Sequence, residues 1–170
     1  VALHRLRRLL GGVERVHVED GRVRLDRTQC WTDAWTIGAL TAAGGEMSDE
    51  STQRVLALYA GPFLAGDDEP WALQARERLR KRVLAALAAT ARRREDNGDL
   101  AEALVCWQRG QEVDDLAEEM YQGAMRCLMR LDRRAEAMGV YRRLRQLLSV
   151  TLGVAPSIWS SIQCATVVTM

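Results

Sequence analysis

The chain is short of several residue types, and each shortage removes a class of function. It has 170 residues, two histidines and one phenylalanine. His4 and His17 both lie in the basic N-terminal part, which gives catalysis little support. Its four cysteines, Cys30, Cys106, Cys127 and Cys164, are scattered. None forms a C-x-x-C pair, so metal-ligand spacing is lacking and four reduced thiols are expected. No G-x-S-x-G, H-E-x-x-H or phosphate-cradling glycine loop occurs, which leaves no catalytic residue to name. No run of about 18 apolar residues is present, so neither a membrane span nor a membrane partner is expected. The formal net charge is only +1. A globally polybasic protein is excluded, and any nucleic-acid contact must come from a local patch. Lysine is nearly missing too: Lys81 stands alone among 24 basic residues.

What remains is a soluble globular composition, 48% hydrophobic and 28% charged. A chain of this length can bury roughly 70% of its unfolded surface without disulfide support. No signal peptide is visible, and a cytoplasmic location is expected. The segment Leu3 to Leu10 reads as the middle of a helix that opens abruptly at Val1, as in a piece of a longer protein.

Glycine and proline set the punctuation. Gly11-Gly12, Gly44-Gly45, Gly61-Pro62, the run Gly66 to Pro70, Gly98, Gly153 and Pro156 mark breaks. Between them Ala, Leu, Arg and Glu dominate, which favours helix. Helices are predicted over 32–42, 50–59 with Ser48 or Asp49 as cap, 70–96, 100–113, 116–131 and 134–151, with a weaker one after Ser157. Pro70 suits a first helical turn, and Asp67, Asp68 and Glu69 suit a positive helix end. One stretch alternates instead. Val16 and Val18, then Val23 and Leu25, flank Asp20-Gly21, and predict a β-hairpin over 16–18 and 22–25. So small a hairpin must pack on a helix.

The clearest pattern is a repeat. Ala103 and Ala137 are 34 positions apart, as are Trp107 and Tyr141, and Leu87 and Tyr121. This is the tetratricopeptide period. A small residue lets one helix approach the next, and an aromatic fills the gap beside it. Two units result, 84–117 and 118–151, with flanking helices as caps. An ordinary antiparallel bundle with coincidental spacing is the alternative. The five tryptophans, Trp31, Trp35, Trp71, Trp107 and Trp159, are expected to fill inter-helix gaps, Trp31 and Trp35 from one helix face.

The run Leu58 to Leu64, followed by Pro70-Trp71 and Arg76 to Arg80, resembles the bacterial transcriptional activator domain. So do Asp115 to Glu118, Tyr121, Arg134 to Ala137, Tyr141 to Arg143 and Leu152 to Ser157. The likeness spans about 31–157. At its end Ile158 to Gln163 stand where the family continues with an acidic, Thr-containing helix. The resemblance implies a tetratricopeptide-like helical domain placed after an OmpR-type winged helix, as in antibiotic regulatory protein-type activators. Residues 1–30 then look like the end of the winged helix, with the tail of its recognition helix at 3–11 and its wing at 16–25. Residues 31–170 look like the helical activator domain. The fold class is therefore mostly α, stacked helical hairpins with a short N-terminal β-hairpin.

Two candidate surfaces follow. Residues 1–31 carry seven arginines against four acids, a local excess of three positive charges. His4, Arg5, Arg8, Arg15, Arg22 and Arg24 are the candidate DNA-binding residues, with a solvated amphipathic helix as the alternative. DNA binding is expected to be weak without the rest of the winged helix. Farther on, Arg92 and Arg126 occupy equivalent repeat positions, with Arg130 one turn beyond. They are a candidate groove for an acidic partner, although charge blocks on neighbouring helices most often form surface ion pairs. The function expected is protein contact beside a DNA reader, without a chemical step, a cofactor or a metal. The partner of the helical body would be RNA polymerase, another protomer or a regulatory domain. A tetratricopeptide scaffold that binds peptides and never touches DNA is the alternative.

Overall fold

The structure, a computed structural model, describes residues 2–42 and 47–155. Among them are seven helices and one two-stranded sheet, in the order α1 (Ala2–Leu10), β1 (Val16–Glu19), β2 (Arg22–Leu25), α2 (Asp33–Leu40), α3 (Asp49–Leu58), α4 (Pro70–Asn97), α5 (Leu100–Val113), α6 (Glu118–Arg130) and α7 (Arg134–Leu152). The mostly helical class with an N-terminal hairpin is the one expected from the sequence. The weak helix predicted after Ser157, with Trp159 and Cys164, lies outside the described residues.

Local chemistry explains most boundaries. The strands pair antiparallel, Val16 opposite Leu25 and Glu19 opposite Arg22. Asp20 and Gly21 both take positive φ, +50° and +73°. That pair of values matches the twist of the strands, and Asp-Gly reaches it at little steric cost. Thr32 caps α2 by accepting the Trp35 amide at 3.2 Å. Ser48 caps α3 by accepting the Ser51 amide at 3.1 Å. Pro70 opens α4, and Gly98, at φ +87°, ends it in a left-handed turn. Glu69 sits at the cap position without capping; Asp67 Oδ1 instead accepts the Glu69 amide at 3.1 Å. The helix predicted from 116 starts at Glu118, because the Leu116 amide turns to Asp114 Oδ1 at 3.0 Å.

Helices α4 to α7 form a zigzag in which each packs on the next, and α4 also touches α6. Helices α2 and α3 both pack on α4, and the start of α3 reaches its second half, where Thr52 meets Thr90 and Asp49 meets Arg93 and Arg94. The core follows this division. Ile37, Val55, Val83 and Leu87 join α2 and α3 to α4. Ala91, Ala103, Trp107, Ala124 and Leu128 fill the zigzag. Tyr121, Leu144 and Leu148 close it between α6 and α7. Small residues set the closest approaches: a Cβ on Gly123 would overlap the Trp107 indole, and one on Gly110 would overlap the Met120 side chain. Of the spaced pairs, Leu87 and Tyr121 are buried, as are Ala103 and Ala137.

Several aromatic positions differ from expectation. Trp107 is fully buried, but Trp31 is 67% exposed and Trp71 57% exposed. Trp31 precedes α2, so it shares no helix face with Trp35. Trp71 is one position before the fully buried Ala72. A step of about 100° around the helix turns it away from the core. Tyr141 is only half-buried, on α7, the last helix of the zigzag among the described residues.

The core makes a direct prediction. Trp107→Ala should lower stability by about 3–5 kcal/mol in urea unfolding. Gly123→Ala should lose about 1–3 kcal/mol by overpacking, despite alanine's better helix propensity. Unchanged midpoints would contradict this packing.

Candidate nucleic-acid and protein interaction surfaces

The N-terminal basic residues divide by environment. His4, Arg5, Arg8, Arg22 and Arg24 are exposed. Arg15 is not placed as they are. It is half-buried, its Nη1 donates to the Leu10 carbonyl, and its Nε is buried without a partner. It therefore closes the C-terminus of α1. Arg7 donates to the Val16 carbonyl through Nε at 3.3 Å and Nη2 at 3.0 Å, tying α1 to β1. These two arginines explain how so small a hairpin is held against α1. The opposite face of α1 is apolar and open, with Leu9 77% exposed.

Asp26 is the anchor after the hairpin. It accepts the Thr28 amide at 2.7 Å and the Thr28 hydroxyl at 2.6 Å, and His17 Nε2 lies 3.1 Å away. The Thr28 bonds, followed by the His17 bond, hold its carboxyl down at about 2, well below the usual aspartate range. Beyond it, the Arg27 guanidinium sits 5.1 Å from the centre of the Trp35 ring.

Arg92, Arg126 and Arg130 do come near one another's helices, but each faces an acid of this chain. Arg92 pairs with Glu119. Arg126 donates to Glu95 Oε1 at 3.1 Å and lies over the Trp107 ring, 5.6 Å from its centre. Arg130 donates to the Glu95 carbonyl at 3.3 Å. Glu95 is buried, and its Oε1 also accepts the Trp107 indole N–H at 2.7 Å. This buried acid was not singled out from the sequence. Its signal was the tryptophan itself, since a buried indole N–H needs an acceptor.

Among the described residues, no cluster of His, Cys, Asp or Glu could hold a metal ion. Cys30, Cys106 and Cys127 are free, the last two buried. Burial, with Glu95 beside it, pushes the Cys127 thiol up to about 12, and burial raises that of Cys106. Both stay protonated at neutral pH, which removes them as nucleophiles.

The model of one family, the bacterial transcriptional activator domain, matches residues 33–158. The chain belongs to this family. The match begins with the first residue of α2 and runs through all of α3 to α7. The activator domain is thus the helical body, and α1 and the hairpin stand before it. A search of the curated proteins gives no significant match. No helix among the described residues is long and apolar enough to cross a membrane.

Two measurements check these environments. Alkylation at pH 8, mapped by peptide mass spectrometry, should modify Cys30 quickly and leave Cys106 and Cys127 protected until denaturant is added. NMR titration should place the Asp26 carboxyl near pH 2. Because its folded pKa is depressed, the stability it contributes is full above about pH 4 and is lost as pH falls through about 2. An Asp26 titration at an ordinary carboxylate value would contradict the Thr28 and His17 bonds.

Proposed function

We propose that this chain belongs to a bacterial transcription regulator in which the activator domain makes protein contacts beside a winged-helix DNA reader. Residues 1–30 are read as the end of that reader, with α1 as the tail of the recognition helix and β1–β2 as the wing. The reading is carried by one observation. Directly before the family match, a helix and a hairpin present His4, Arg5, Arg8, Arg22 and Arg24 to solvent. Among the described residues, only Arg24 of these arginines pairs with an acid, the exposed Glu19 at 3.5 Å, and such a surface pair contributes little. The bare apolar face of α1 fits a helix that packs on further parts of a DNA-binding domain.

The zigzag of α4 to α7, with its 34-residue period, is read as two tetratricopeptide-type units. Its partner would be RNA polymerase, another protomer or a regulatory domain, in the cytoplasm. A peptide scaffold without DNA contact is the weaker reading, because the groove arginines already face Glu95 and Glu119.

Fluorescence anisotropy with duplex DNA, titrated over a salt series, tests the proposal. Binding should be weak and salt-dependent, with a slope of about −0.9 per phosphate contacted. The Arg22→Ala/Arg24→Ala double variant should lower that slope by up to about 2 and weaken binding roughly tenfold. Affinity unchanged in this variant would remove the wing from DNA recognition.

A further inference from the structure

We infer that Arg27, Arg78 and Arg82, arranged around Trp35, form a second nucleic-acid contact, through which the helical body takes the phosphate backbone of duplex DNA. The inference rests on the proposed DNA reading and extends it from the hairpin onto α4.

Most basic side chains of α4 are occupied. Arg76 donates to the carbonyls of Phe63, Leu64 and Asp67. Arg80 binds Glu77 and Asp114, and Lys81 binds Glu77. Arg93 and Arg94 bind Asp49. Arg78 and Arg82 are the contrast: both are exposed, and among the described residues neither has a carboxylate partner. They are four positions apart, so they share a helix face and repel one another. A bound anion would relieve that repulsion.

Trp35 connects them to the hairpin. It borders two hollows. One, of about 310 Å³, is lined by Trp35, Phe63, Leu79, Arg78 and Arg82. The other, of about 810 Å³, is lined by Trp35, Arg27, Arg24 and His17. Arg27 lies over the ring, 5.1 Å from its centre. The basic surface therefore runs from the wing, across one indole, to the first half of α4.

The nearby carboxylates offset only part of this charge. Asp26, in the hairpin-side hollow, is ionised and held by Thr28 and His17. Asp33 accepts the Ala34 amide at 2.7 Å. Arg24, Arg27, Arg78 and Arg82 outnumber these two acids. A regularly charged, stiff backbone can meet the two hollows that Trp35 borders while losing little conformational freedom. A flexible acidic peptide would pay ordering entropy to do the same, so duplex DNA is the occupant we assign.

The test uses the whole chain, duplex DNA and an acidic peptide of matched charge, followed by anisotropy across a salt series. Arg78→Ala/Arg82→Ala should weaken duplex binding about three- to tenfold and reduce the salt slope by about 1–2. Arg27→Ala should weaken it less. Circular dichroism melts of Arg78→Ala/Arg82→Ala should match the parent, because both side chains are exposed and neither has a carboxylate partner among the described residues. If the wing variant Arg22→Ala/Arg24→Ala loses affinity while Arg78→Ala/Arg82→Ala keeps both affinity and slope, the contact on the body is overturned and the wing reading stands. If the Arg78→Ala/Arg82→Ala loss appears only with the acidic peptide, the site belongs to a protein partner and the assignment fails. If the parent chain binds no duplex at any salt, both readings fall.

Discussion

The carboxylate of Glu95 is where three helices meet. It projects from α4, receives the indole N–H of Trp107 from α5 and faces Arg126 and Arg130 from α6. A buried acid without partners would be strongly destabilising, so the three partners are obligatory wherever Glu95 is buried. They also fix geometry. The indole N–H can reach Glu95 only if α5 lies at one rotation against α4, and that rotation puts the ring against Gly123 of α6. Arg126 then covers the ring's open face. Polar and apolar packing specify the same arrangement here, so each makes the other's geometry unique.

The same site limits what the arginine groove can do. Arg126 and Arg130 are partly exposed, yet their charge is directed at an internal acid. An acidic partner would compete with Glu95 for them and would leave a buried carboxylate short of donors. Arg78 and Arg82 carry no such debt. Charge that is free to bind is therefore found on the face of α4 toward α2, away from the repeat-equivalent arginines. Sequence spacing identifies which residues are equivalent; the placement of acids decides which of them are available.

Much of the fold was legible because its signals are local. Asp20-Gly21 encodes a hairpin through backbone preference alone, and Gly98 ends a helix for the same reason. Ala103 and Ala137 mark close approaches because a larger side chain would hold helices apart. Trp31, Trp71 and Tyr141 were misjudged because an aromatic side chain reports the wish to be buried, not the presence of a neighbour. Trp71 is rotated off the core face, and Tyr141 has no further helix beside it among the described residues. Arg15 shows the same limit for charge. Its place among basic residues suggested phosphate contact, while the unsatisfied carbonyl at the end of α1 claims it. Glu95 looked like one acid in a charged block, since burial of a single member of such a block depends on tertiary contacts.

The join between hairpin and body is small, and this has a functional consequence. The hairpin is tied to α1 by backbone-directed arginines, Arg7 and Arg15, and does not merge with either core of the helical body. Arg27 on Trp35 is the side-chain link we find across the junction. A cation–π contact of this kind contributes about 0.5–2 kcal/mol, far less than a shared core. Among the described residues, the hairpin's exit is therefore linked to α2 through one aromatic ring, and under the proposed function that ring is where DNA contact and protein contact would meet.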